Sequence, residues 1–415
     1  MSKTSKLGDF IKIKHGYGYE GKYFKSDPPG DVLLTPGNFQ IGGGFKAEKY
    51  KWYQGPAPEE FFLKENDLLV TMTDLSKDGD TLGYPALVPK ISNIRFLHNQ
   101  RLGKVEIKED APVIRDYLYY LLCTREYRNE ILASATGSTV KHTSPERIYA
   151  FKFNLPPKNE QIKIARKLRA IDKKIEINMK INQYLELIAQ AIFKSWFVDF
   201  DPVRAKAEGR DTGLPKEIAD LFPSEFEDSE LGRIPKGWKT GKLEDDFNIT
   251  MGQSPPGKTY NENRIGLPFF QGRADFTFRY PENRVYCTEP TRFAETGDTL
   301  VSVRAPVGDI NMAMEKCAIG RGVSAIRHKT SSRSFTYYLI KTCQEFFRNF
   351  EAGGTVFGSI NKNDFLSINQ IRIPNELVGF FEKRCFSIDQ KIESNSKELV
   401  TLAMIRDLLI SKLFR

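Results

Sequence analysis

The chain has few cysteines and histidines for its 415 residues, and neither residue type clusters. The five cysteines include no C-x-x-C pair, and the four histidines never fall at metal-ligand spacing with the cysteines or with each other. We therefore expect buried structural thiols and no bound metal.

Long apolar runs are also missing. No stretch of about eighteen apolar residues exists, and the start "MSKTSKLGDF" lacks the apolar segment of a signal peptide. We therefore expect an intracellular, cytoplasmic protein without a membrane partner. With 40% hydrophobic and 12% aromatic residues, the chain is expected to fold into two or three domains. Its net charge of +9 fits a polyanionic partner but does not by itself establish one.

The segment "GQSPPGKT" at 252–259 matches the phosphate-loop pattern G-x-x-x-x-G-K-[ST] at each fixed position. Pro255 and Pro256 carry no N–H, so two of the backbone donors that would hold phosphates are absent. The preceding "LEDDFNITM" is too polar for a buried strand, and the following residues include Gly266 and Pro268 without a helical apolar period. Nucleotide binding is therefore not predicted, and no cofactor is expected.

An internal repeat explains this spacing. "LGDFIKIKHG" (7–16) aligns with "LEDDFNITMG" (243–252), and at the same offset "GYGYEGKY" (16–23) lies over "GQSPPGKT", with Tyr23 where a phosphate loop needs Ser or Thr. Three further pairs of segments follow in the same order: 66–74 with 297–305, 137–156 with 353–374, and 171–178 with 388–395. The first of these pairs has the pattern of a short strand in both copies. The chain therefore contains one domain type twice.

A long helix is predicted after each copy. From Asn159 to about Phe197 the first has no Gly or Pro, and its apolar residues recur at intervals of three and four. About forty residues at 1.5 Å each give a rod of about 60 Å, longer than one small domain can cover, so we expect the two helices to pack on each other. The predicted seams are Ile164, Leu168, Ile171, Ile175, Leu185, Ala189, Ile192 and Trp196 in the first helix, and Phe381, Cys385, Ile388, Ile392, Leu399, Leu402, Leu409 and Leu413 in the second, with Asn178, Asn182 and Asn395 as polar interruptions.

The predicted fold class is α+β. Two repeated mixed α/β domains are joined by two long helices, which form an antiparallel coiled coil with pseudo-two-fold symmetry. Each repeated domain is predicted to contain one or two helices. Within the first domain, 114–132 has helical apolar spacing with an amphipathic face, and "TSPE" (143–146) is predicted as a capping box with Thr143 at N-cap and Glu146 at N3. The predicted bounds are 1–157 for the first domain, 158–198 for the first helix, 199–235 for a linker, 236–374 for the second domain and 375–415 for the second helix.

Three elements resemble the specificity subunits of type I restriction-modification systems. They are "LPPKNEQIKIARKLRAIDKKIE" (155–176), "ATGSTVKHTS" (135–144) and "AIFKSWFVDFDPVRAK" (191–206). The resemblance covers nearly the whole chain, although Leu377 stands in the second copy where Gln161 stands in the first. It implies a non-catalytic subunit whose two target-recognition domains each read one half of a bipartite target in double-stranded DNA. It also implies that the helices set the spacer and dock two type I adenine methyltransferase subunits, with a restriction subunit in the full complex.

The repeated glycine-rich loops supply the candidate DNA-binding residues. Arg, Lys, Asn and Gln read base edges, while Lys, Arg, hydroxyls and backbone N–H groups hold phosphates. The candidates are Tyr17, Tyr19, Lys22, Tyr23, Gln40, Lys46, Thr139, Lys141 and His142 in the first domain, and Gln253, Ser254, Lys258, Thr259, Gln271 and Arg273 in the second. Gln40 and Gln271 are predicted to be equivalent, because each follows a Phe. The loop 353–359 is a further candidate, and Arg304 and Arg321 are secondary ones. Any of these residues could instead be an ordinary surface or turn residue, and the tyrosines could equally belong to the core.

Trp196, Phe197 and Phe414, at the ends of the two long helices, are candidate exposed anchors for methyltransferase subunits. Packing on a neighbouring domain explains them equally well. No catalytic residue is predicted: "DPPG" (27–30) and "SPPG" (254–257) imitate an amino-methyltransferase tetrapeptide but have Gly30 and Gly257 where an aromatic residue must stack the base. The remaining alternative is a coiled-coil scaffold without sequence-specific DNA binding.

Overall fold

The computed structural model describes residues 4–351 and 358–414. The chain divides into two compact units, unit 1 (Met1–Glu176 with Val400–Arg415) and unit 2 (Ile177–Leu399). Each unit contains a mixed α/β domain and a portion of both long helices. Within the described residues, no helix has the length and apolar character needed to cross a membrane.

The mixed domain of unit 1 is built on two sheets. Its strands are β1 (Thr4–Lys6), β2 (Ile11–His15), β3 (Phe24–Lys25), β4 (Asp31–Leu34), β5 (Lys51–Tyr53), β6 (Phe62–Leu63), β7 (Leu68–Thr71), β8 (Thr73–Asp74), β9 (Pro85–Leu87), β10 (Phe96–His98), β11 (Leu102–Ile107), β12 (Lys141–His142) and β13 (Lys152–Asn154). The larger sheets have the orders β2-β11-β7-β9 and β3-β5-β4-β10-β6, and two-stranded ladders join β1 with β13 and β8 with β12. β4 and β10 pair in parallel, and the other pairs are antiparallel.

Alternation along β2 shows why the first sheet forms. Ile11 and Ile13 are buried while Lys12 is exposed, which is the period of a strand with one face on a core. On that face β2 packs with Leu68 and Val70 of β7 and with helices of the same domain. The helices are α1 (Leu7–Phe10), α2 (Arg115–Leu121), α3 (Arg125–Ala133), α4 (Pro145–Ala150) and the long α5 (Lys158–Phe197).

One local prediction in this domain is refined and one is wrong. The segment 114–132 is helical as predicted but forms two helices, because the chain turns between Leu121 and Arg125 and Thr124 caps α3 by accepting a hydrogen bond from the Tyr127 N–H. The cap of α4 is Ser144 rather than Thr143, because Pro145 occupies the first helical position, where a missing N–H costs nothing. The Thr143 N–H is used instead in a bond to the Met72 carbonyl.

Unit 2 repeats the two larger sheets and the terminal ladder of unit 1, and it adds a hairpin over 226–235. The ladder between β8 and β12 corresponds in unit 2 to a single bridge between Arg304 and Ser359. Its strands are β14 (Phe226–Ser229), β15 (Gly232–Pro235), β16 (Lys239–Lys242), β17 (Phe247–Met251), β18 (Tyr260–Asn261), β19 (Leu267–Phe270), β20 (Tyr286–Cys287), β21 (Phe293–Ala294), β22 (Thr299–Ser302), β23 (Ile310–Met312), β24 (Cys317–Ile319), β25 (Val323–His328) and β26 (Asn369–Arg372). The two larger sheets have the orders β17-β25-β22-β23 and β18-β20-β19-β24-β21. These orders match those of unit 1 position by position, so the predicted α+β fold with two repeated domains is confirmed.

In the described part of the chain, five helices of unit 2 correspond to those of unit 1, and two short helices between 201 and 219 are additional. The helices of unit 2 are α6 (Asp201–Ala207), α7 (Lys216–Ala219), α8 (Leu243–Asp246), α9 (Arg333–Thr342), α10 (Gln344–Glu351), α11 (Lys362–Leu366) and the long α12 (Asn375–Leu413). The segment predicted as a linker contributes Phe200, Val203, Phe222 and Ile234 to the core of unit 2. It is therefore packed along much of its length.

The two long helices pair as the seam predicts. Within unit 2, Asn178 of α5 donates to Glu398 of α12 (Nδ2 to Oε2, 2.8 Å), and the Phe193 and Phe381 rings lie 5.5 Å apart. Residues later in α5 thus meet residues earlier in α12, and the pairing in this unit is antiparallel. The Asn395 amide donates to the Asn182 Oδ1 over 2.9 Å, and both side chains are buried. Two of the three predicted polar interruptions, Asn182 and Asn395, therefore bind each other, and the third, Asn178, binds Glu398.

Candidate nucleic-acid interface

The loop that resembles a phosphate loop crosses a tight turn in both domains. Gly16 follows β2 and packs against the turn after β10, where a Cβ atom would lie 2.2 Å from the Asn99 carbonyl oxygen. Gly252 follows β17 in the same way, and its Cβ would lie 2.2 Å from the Gly320 oxygen. Glycine is required at both positions because the two backbones touch. After the second loop the chain forms a short 3-10 turn at Gly257–Thr259 and then β18, not the helix of a phosphate-binding site.

The same set of backbone hydrogen bonds fixes this crossing in each domain. In unit 1, Tyr17 N–H donates to the His98 carbonyl (2.9 Å) and Met72 N–H to the Arg101 carbonyl (2.9 Å). In unit 2, Gln253 N–H donates to the Ile319 carbonyl (3.0 Å) and Val303 N–H to the Gly322 carbonyl (2.9 Å). We call the turns 99–101 and 320–322 the crossing turns.

The tyrosines predicted in the first loop are mainly packing residues. Tyr17 is 41% exposed and contacts the Tyr19 and Phe61 rings. Tyr19 and Tyr23 both pack around the buried Tyr53, and burial raises the pKa of the Tyr19 hydroxyl well above its ordinary value. Of the two explanations open for these residues, core packing accounts for Tyr19 and Tyr23, while Tyr17 keeps an exposed edge.

The remaining candidates of the first loop region are exposed but partly engaged. Lys22 forms an ion pair with Glu20 (2.7 Å), and Lys46 forms one with Glu48 (3.2 Å). Gln40 donates to the Phe45 carbonyl over 3.1 Å. Surface ion pairs of this kind are weak, so the two lysines remain available to a phosphate.

The predicted equivalence of Gln40 and Gln271 is wrong. Leu34 pairs with His98 in β10, and Phe270 pairs with Ile319 in β24. The residue after each strand is therefore Thr35 in unit 1 and Gln271 in unit 2. Gln40 comes five residues later, beyond a 3-10 turn at Pro36–Asn38. The shared Phe-Gln pair misled the alignment.

Three predicted residues of the second domain meet at the crossing turn. The Gln253 backbone binds Ile319 at its start, the Ser254 Oγ accepts from the Arg321 N–H (3.2 Å), and the Gln271 carbonyl accepts from the Gly322 N–H (3.0 Å). The Gln253 and Gln271 side chains are exposed beside it. These positions remain predicted DNA contacts, now placed on one local surface.

The other candidates of the second domain differ in availability. Lys258 is exposed. Thr259 is 5% exposed, and its hydroxyl donates to the Pro256 carbonyl over 2.7 Å, so the side chain is engaged within the domain. Arg273 is half-exposed and forms an ion pair with Asp309.

The loop predicted to bind phosphate in the first domain is closed by two backbone bonds. Thr136 N–H donates to the His142 carbonyl (3.0 Å) and His142 N–H donates back to the Thr136 carbonyl (2.8 Å). Thr139 is exposed between them, and Lys141 lies in β12 beside Asp74 of β8. The matching loop of the second domain, 353–359, falls largely outside the described residues.

The sequence reading missed three side chains beside the first crossing turn. His15, Gln100 and Arg101 line one open cleft of about 580 Å³ together with Thr73 and the predicted His142. The polar tripeptide "NQR" (99–101) between two apolar strands is the sequence feature that marks these side chains. It does not by itself predict a site, because only the pairing of β2 with β11, in which Gly103 faces His15, brings it beside β2.

The backbone beside this cleft is fixed by Asp74, which follows the lining residue Thr73. Its carboxylate accepts from the Ser76 N–H (2.7 Å) and from the N–H and hydroxyl of Thr81 (2.5 Å each). Burial acts to raise the pKa of Asp74, but the hydrogen bonds from Thr81 and Ser76 outweigh it and lower the pKa. The Asp74 carboxylate therefore stays ionised and fixes the backbone that carries Thr73.

The mixed domain of unit 2 is joined to the long helices by a buried ionic cluster. Arg279, fully buried, donates to Glu186 of α5 (2.5 Å) and to Asp389 of α12 (2.7 Å). Lys341 of α9 donates to the other oxygen of Glu186 over 2.7 Å, and the guanidinium carbon of Arg279 lies 3.8 Å from the centre of the Tyr337 ring. One arginine thus ties the mixed domain of unit 2 to both helices.

Unit 1 uses different residues for the same task. Gln161 of α5 is fully buried and accepts from the Ile114 N–H (2.9 Å) while donating to the Pro112 (2.8 Å) and Pro156 (2.9 Å) carbonyls. Tyr120 of α2 donates to Asp172 of α5 over 2.6 Å. The glutamine of the family-like run therefore satisfies three backbone groups where the domain meets the helix.

The predicted anchors at the helix ends are not exposed. Trp196 and Phe197 are each 5% exposed and lie in the core of unit 2, and Phe414 is half-buried with its ring stacked 4.9 Å from Tyr117. The prediction of exposed anchors is corrected to the alternative, packing on a domain. No group of three or more His, Cys, Asp or Glu side chains suited to a metal ion occurs among the described residues.

Comparison with known proteins identifies the class. The family model described as "Type I restriction modification DNA specificity domain" matches residues 2–187 and 235–376. The putative type I restriction enzyme MjaX specificity subunit of Methanocaldococcus jannaschii is 31% identical over 79% of this chain and 81% of its own length. The type I restriction enzyme HindI specificity subunit of Haemophilus influenzae is 28% identical over 72% of this chain and 77% of its own.

A solved structure agrees on the fold. The S subunit of a type I restriction-modification system from M. genitalium matches with a TM-score of 0.58 at 16% identity, covering 100% of this chain and 96% of that one. The two matched regions, together with a relative above 30% identity, define a two-domain DNA-specificity protein. The chain belongs to the type I restriction-modification DNA specificity family, and it is a DNA sequence-recognition subunit.

Proposed function

We propose that each mixed domain reads one half of a bipartite DNA target and that α5 and α12 set the distance between the halves. The observation that carries this proposal is the repeat of both larger sheets in the same strand order, with different side chains at the equivalent crossing turns. Two domains of one fold and different surfaces suit two unlike half-sites. A continuous helix of 40 residues, about 60 Å long, suits a spacer of fixed length.

Charge and exposure support DNA as the partner of these surfaces. The chain carries a net charge of +9. The loops 16–23 and 252–259, together with the crossing turns that they contact, present amides, hydroxyls and cations, the groups that bind base edges and phosphates. Exposed Lys258, Gln253 and Gln271 in unit 2 and Lys22 in unit 1 lie on or beside these loops. A scaffold without DNA recognition is not favoured, because it leaves both surfaces without a task.

The partner proteins of the proposal are two adenine methyltransferase subunits, with a restriction subunit in the full complex. Among the described residues, each unit exposes an apolar patch on a long helix. It is formed by Tyr184 (65% exposed), Leu187 (59%) and Ile188 (49%) on α5 in unit 2, and by Val400 (63%), Met404 (59%) and Leu408 (54%) on α12 in unit 1. Spacings of three and four place each set on one helix face. Exposed apolar patches of this kind mark protein interfaces, and such a patch in each unit fits two copies of one partner.

In this proposal the chain itself has no catalytic role. Methyl transfer and cleavage belong to the partner subunits, and the chain acts in the cytoplasm where these partners meet genomic DNA. Support comes from the relatives, which are named specificity subunits.

The test is to co-express the chain with a type I methyltransferase subunit and map N6-methyladenine across the host genome. The proposal predicts methylation at one two-part motif with a fixed spacer, absent when the chain is omitted. A complex that forms with a competent methyltransferase yet methylates no motif would show that the chain is a scaffold.

A further inference from the structure

Four side-chain positions surround the crossing turn in each domain, and the backbone bonds identify them one by one. In the first domain, Thr73 follows Met72, whose N–H donates to the crossing turn, and His142 precedes Thr143, whose N–H donates to the Met72 carbonyl over 3.0 Å. In the second domain, Arg304 follows Val303, whose N–H donates to the crossing turn. Ser359 precedes Ile360, whose N–H donates to the Val303 carbonyl over 3.0 Å.

The other two positions follow from the glycines and the turn. His15 and Met251 precede Gly16 and Gly252. Gln100 and Arg321 are the central residues of turns closed by Leu102 N–H to the Asn99 carbonyl (2.9 Å) and by Val323 N–H to the Gly320 carbonyl (3.0 Å). The backbone is thus the same at all four places, and the side chain differs at all four.

The polar side chains at these positions are available to a ligand. Gln100, Arg304 and Arg321 are exposed, as is Arg101 beside Gln100 in the first crossing turn, and within residues 4–351 and 358–414 no hydrogen bond or ion pair engages their side chains. His142 uses only Nδ1, which lies 3.2 Å from the Thr73 hydroxyl. These long, unpaired polar side chains differ from Lys22 and Lys46, which form ion pairs.

The chemistry of these groups is that of base recognition. Arginine binds guanine O6 and N7 through two bonds, glutamine binds adenine N6 and N7, and an apolar group contacts the thymine methyl. In unit 1, Leu75 is 63% exposed on the cleft that holds Gln100 and Arg101. A constant backbone with variable donors fits a surface that must read different sequences in two copies.

We propose that the crossing turns are the base-reading elements of the two domains. In the first domain the reading groups are His15, Thr73, Gln100, Arg101 and His142, and in the second they are Arg304 and Arg321 with Met251 and Ser359 beside them. The ligand is the edge of base pairs in duplex DNA. This inference rests on the proposed function and names the residues that carry its specificity.

The experiment measures binding of the complex with a methyltransferase subunit to three duplexes at one salt concentration. One duplex carries the mapped motif, one has the first half scrambled, and one has the second half scrambled. The variants are Q100A/R101A in unit 1 and R304A/R321A in unit 2, with thermal unfolding to check that each folds as the wild type does. Lys90→Ala is the control. Lys90 is exposed and comes shortly after Leu87 of β9. Leu87 pairs with Leu68, which lies at the end of β7 away from Thr73.

We expect Q100A/R101A to lose about 10- to 100-fold of its discrimination against one scrambled half only, and R304A/R321A to lose it against the other half. Lys90→Ala keeps both preferences. Equal weakening on all three duplexes would assign these residues to phosphate contacts and overturn the inference, as would unchanged discrimination in both variants. A wild-type complex that prefers none of the duplexes would instead remove the proposed function itself.

Discussion

Arg279 Nη2 donates to Asp389 Oδ1 over 2.7 Å, and neither side chain is exposed. Asp389 belongs to α12, while Arg279 belongs to the mixed domain, so the bond fixes that domain on the helix. Glu186 of α5 accepts a hydrogen bond from Nη1 of the same guanidinium. A domain that reads DNA must be held rigidly if the spacing between half-sites is to be constant, and this cluster supplies that rigidity in unit 2.

Removing Arg279 deprives buried Asp389 of its 2.7 Å cation and leaves Glu186 with Lys341 alone. Breaking a buried ion pair in this way costs about 3–5 kcal/mol, so Arg279→Met is expected to lower the free energy of unfolding of unit 2 by that amount. Trp196 and Trp238 are buried in this unit, so in a Trp52→Phe background fluorescence in urea reports its unfolding. The exposed Arg292→Met serves as the control.

Neutralising the partners should recover part of that loss. Arg279→Met combined with Glu186→Gln and Asp389→Asn removes the uncompensated charges. If the triple variant is no more stable than Arg279→Met alone, the loss of stability does not come from uncompensated charge on the buried carboxylates.

Gln161→Leu tests the junction of unit 1. The change deletes three hydrogen bonds and leaves the Ile114 N–H without its acceptor. Each buried group left unsatisfied costs about 1–3 kcal/mol. We expect a lower melting temperature for the full chain and little effect from Gln183→Leu, an exposed site on the same helix. Equal melting temperatures for the two variants would contradict the role given to Gln161.

Asn182 and Asn395 are predicted to be coupled. Either single change to leucine leaves a buried amide without its 2.9 Å partner and destabilises the pair. The double variant replaces both polar groups by apolar ones, and is expected to be at least as stable as the wild type, since buried polar residues at a helix seam cost stability. A double-mutant cycle by urea unfolding measures the coupling, and additive single effects would show that the two residues act independently.

His98 makes the stability of unit 1 depend on pH. Burial lowers the pKa of His98 from its ordinary 6.5 to about 4, the hydrogen bond between its Nε2 and the Leu102 carbonyl (2.9 Å) opposing that shift in part. The folded state therefore binds the proton less readily than the unfolded chain. The contribution is fully present above pH 6.5 and is lost as the pH falls towards 4, by at most about 3 kcal/mol.

The measurement for His98 is unfolding at several pH values between 4 and 7.5. In His98→Asn the slope of stability against pH over this window should be smaller than in the wild type, although the variant starts from a lower stability. An unchanged slope would assign the acid sensitivity to other groups.

The repeat and the long helices could be predicted from the sequence because both are written in local patterns. The glycine spacing recurs at a fixed offset, and the seam of α5 and α12 recurs every three or four residues, with its asparagines in the correct places. The strand at 66–74 and its copy at 297–305 likewise carry a local apolar pattern, and both form.

The candidate site was less predictable because it is assembled by distant segments. Arg279 meets partners 93 and 110 residues away, and no local pattern marks it. His15 and Arg101 become neighbours only through the pairing of β2 with β11. The Phe-Gln dipeptide predicts that Gln40 and Gln271 are equivalent, but the strand register, which the sequence alone does not show, makes Thr35 the equivalent of Gln271.

The central claim is that the two domains read their half-sites independently, and a half exchange tests it most directly. Residues 1–157 are replaced by those of another family member with a different mapped motif, and N6-methyladenine is mapped in cells that express the hybrid with its methyltransferase subunit. The account predicts a hybrid motif in which one half changes while the other half and the spacer stay as they were. A motif in which both halves change together, or one that follows residues 158–415 alone, would contradict it.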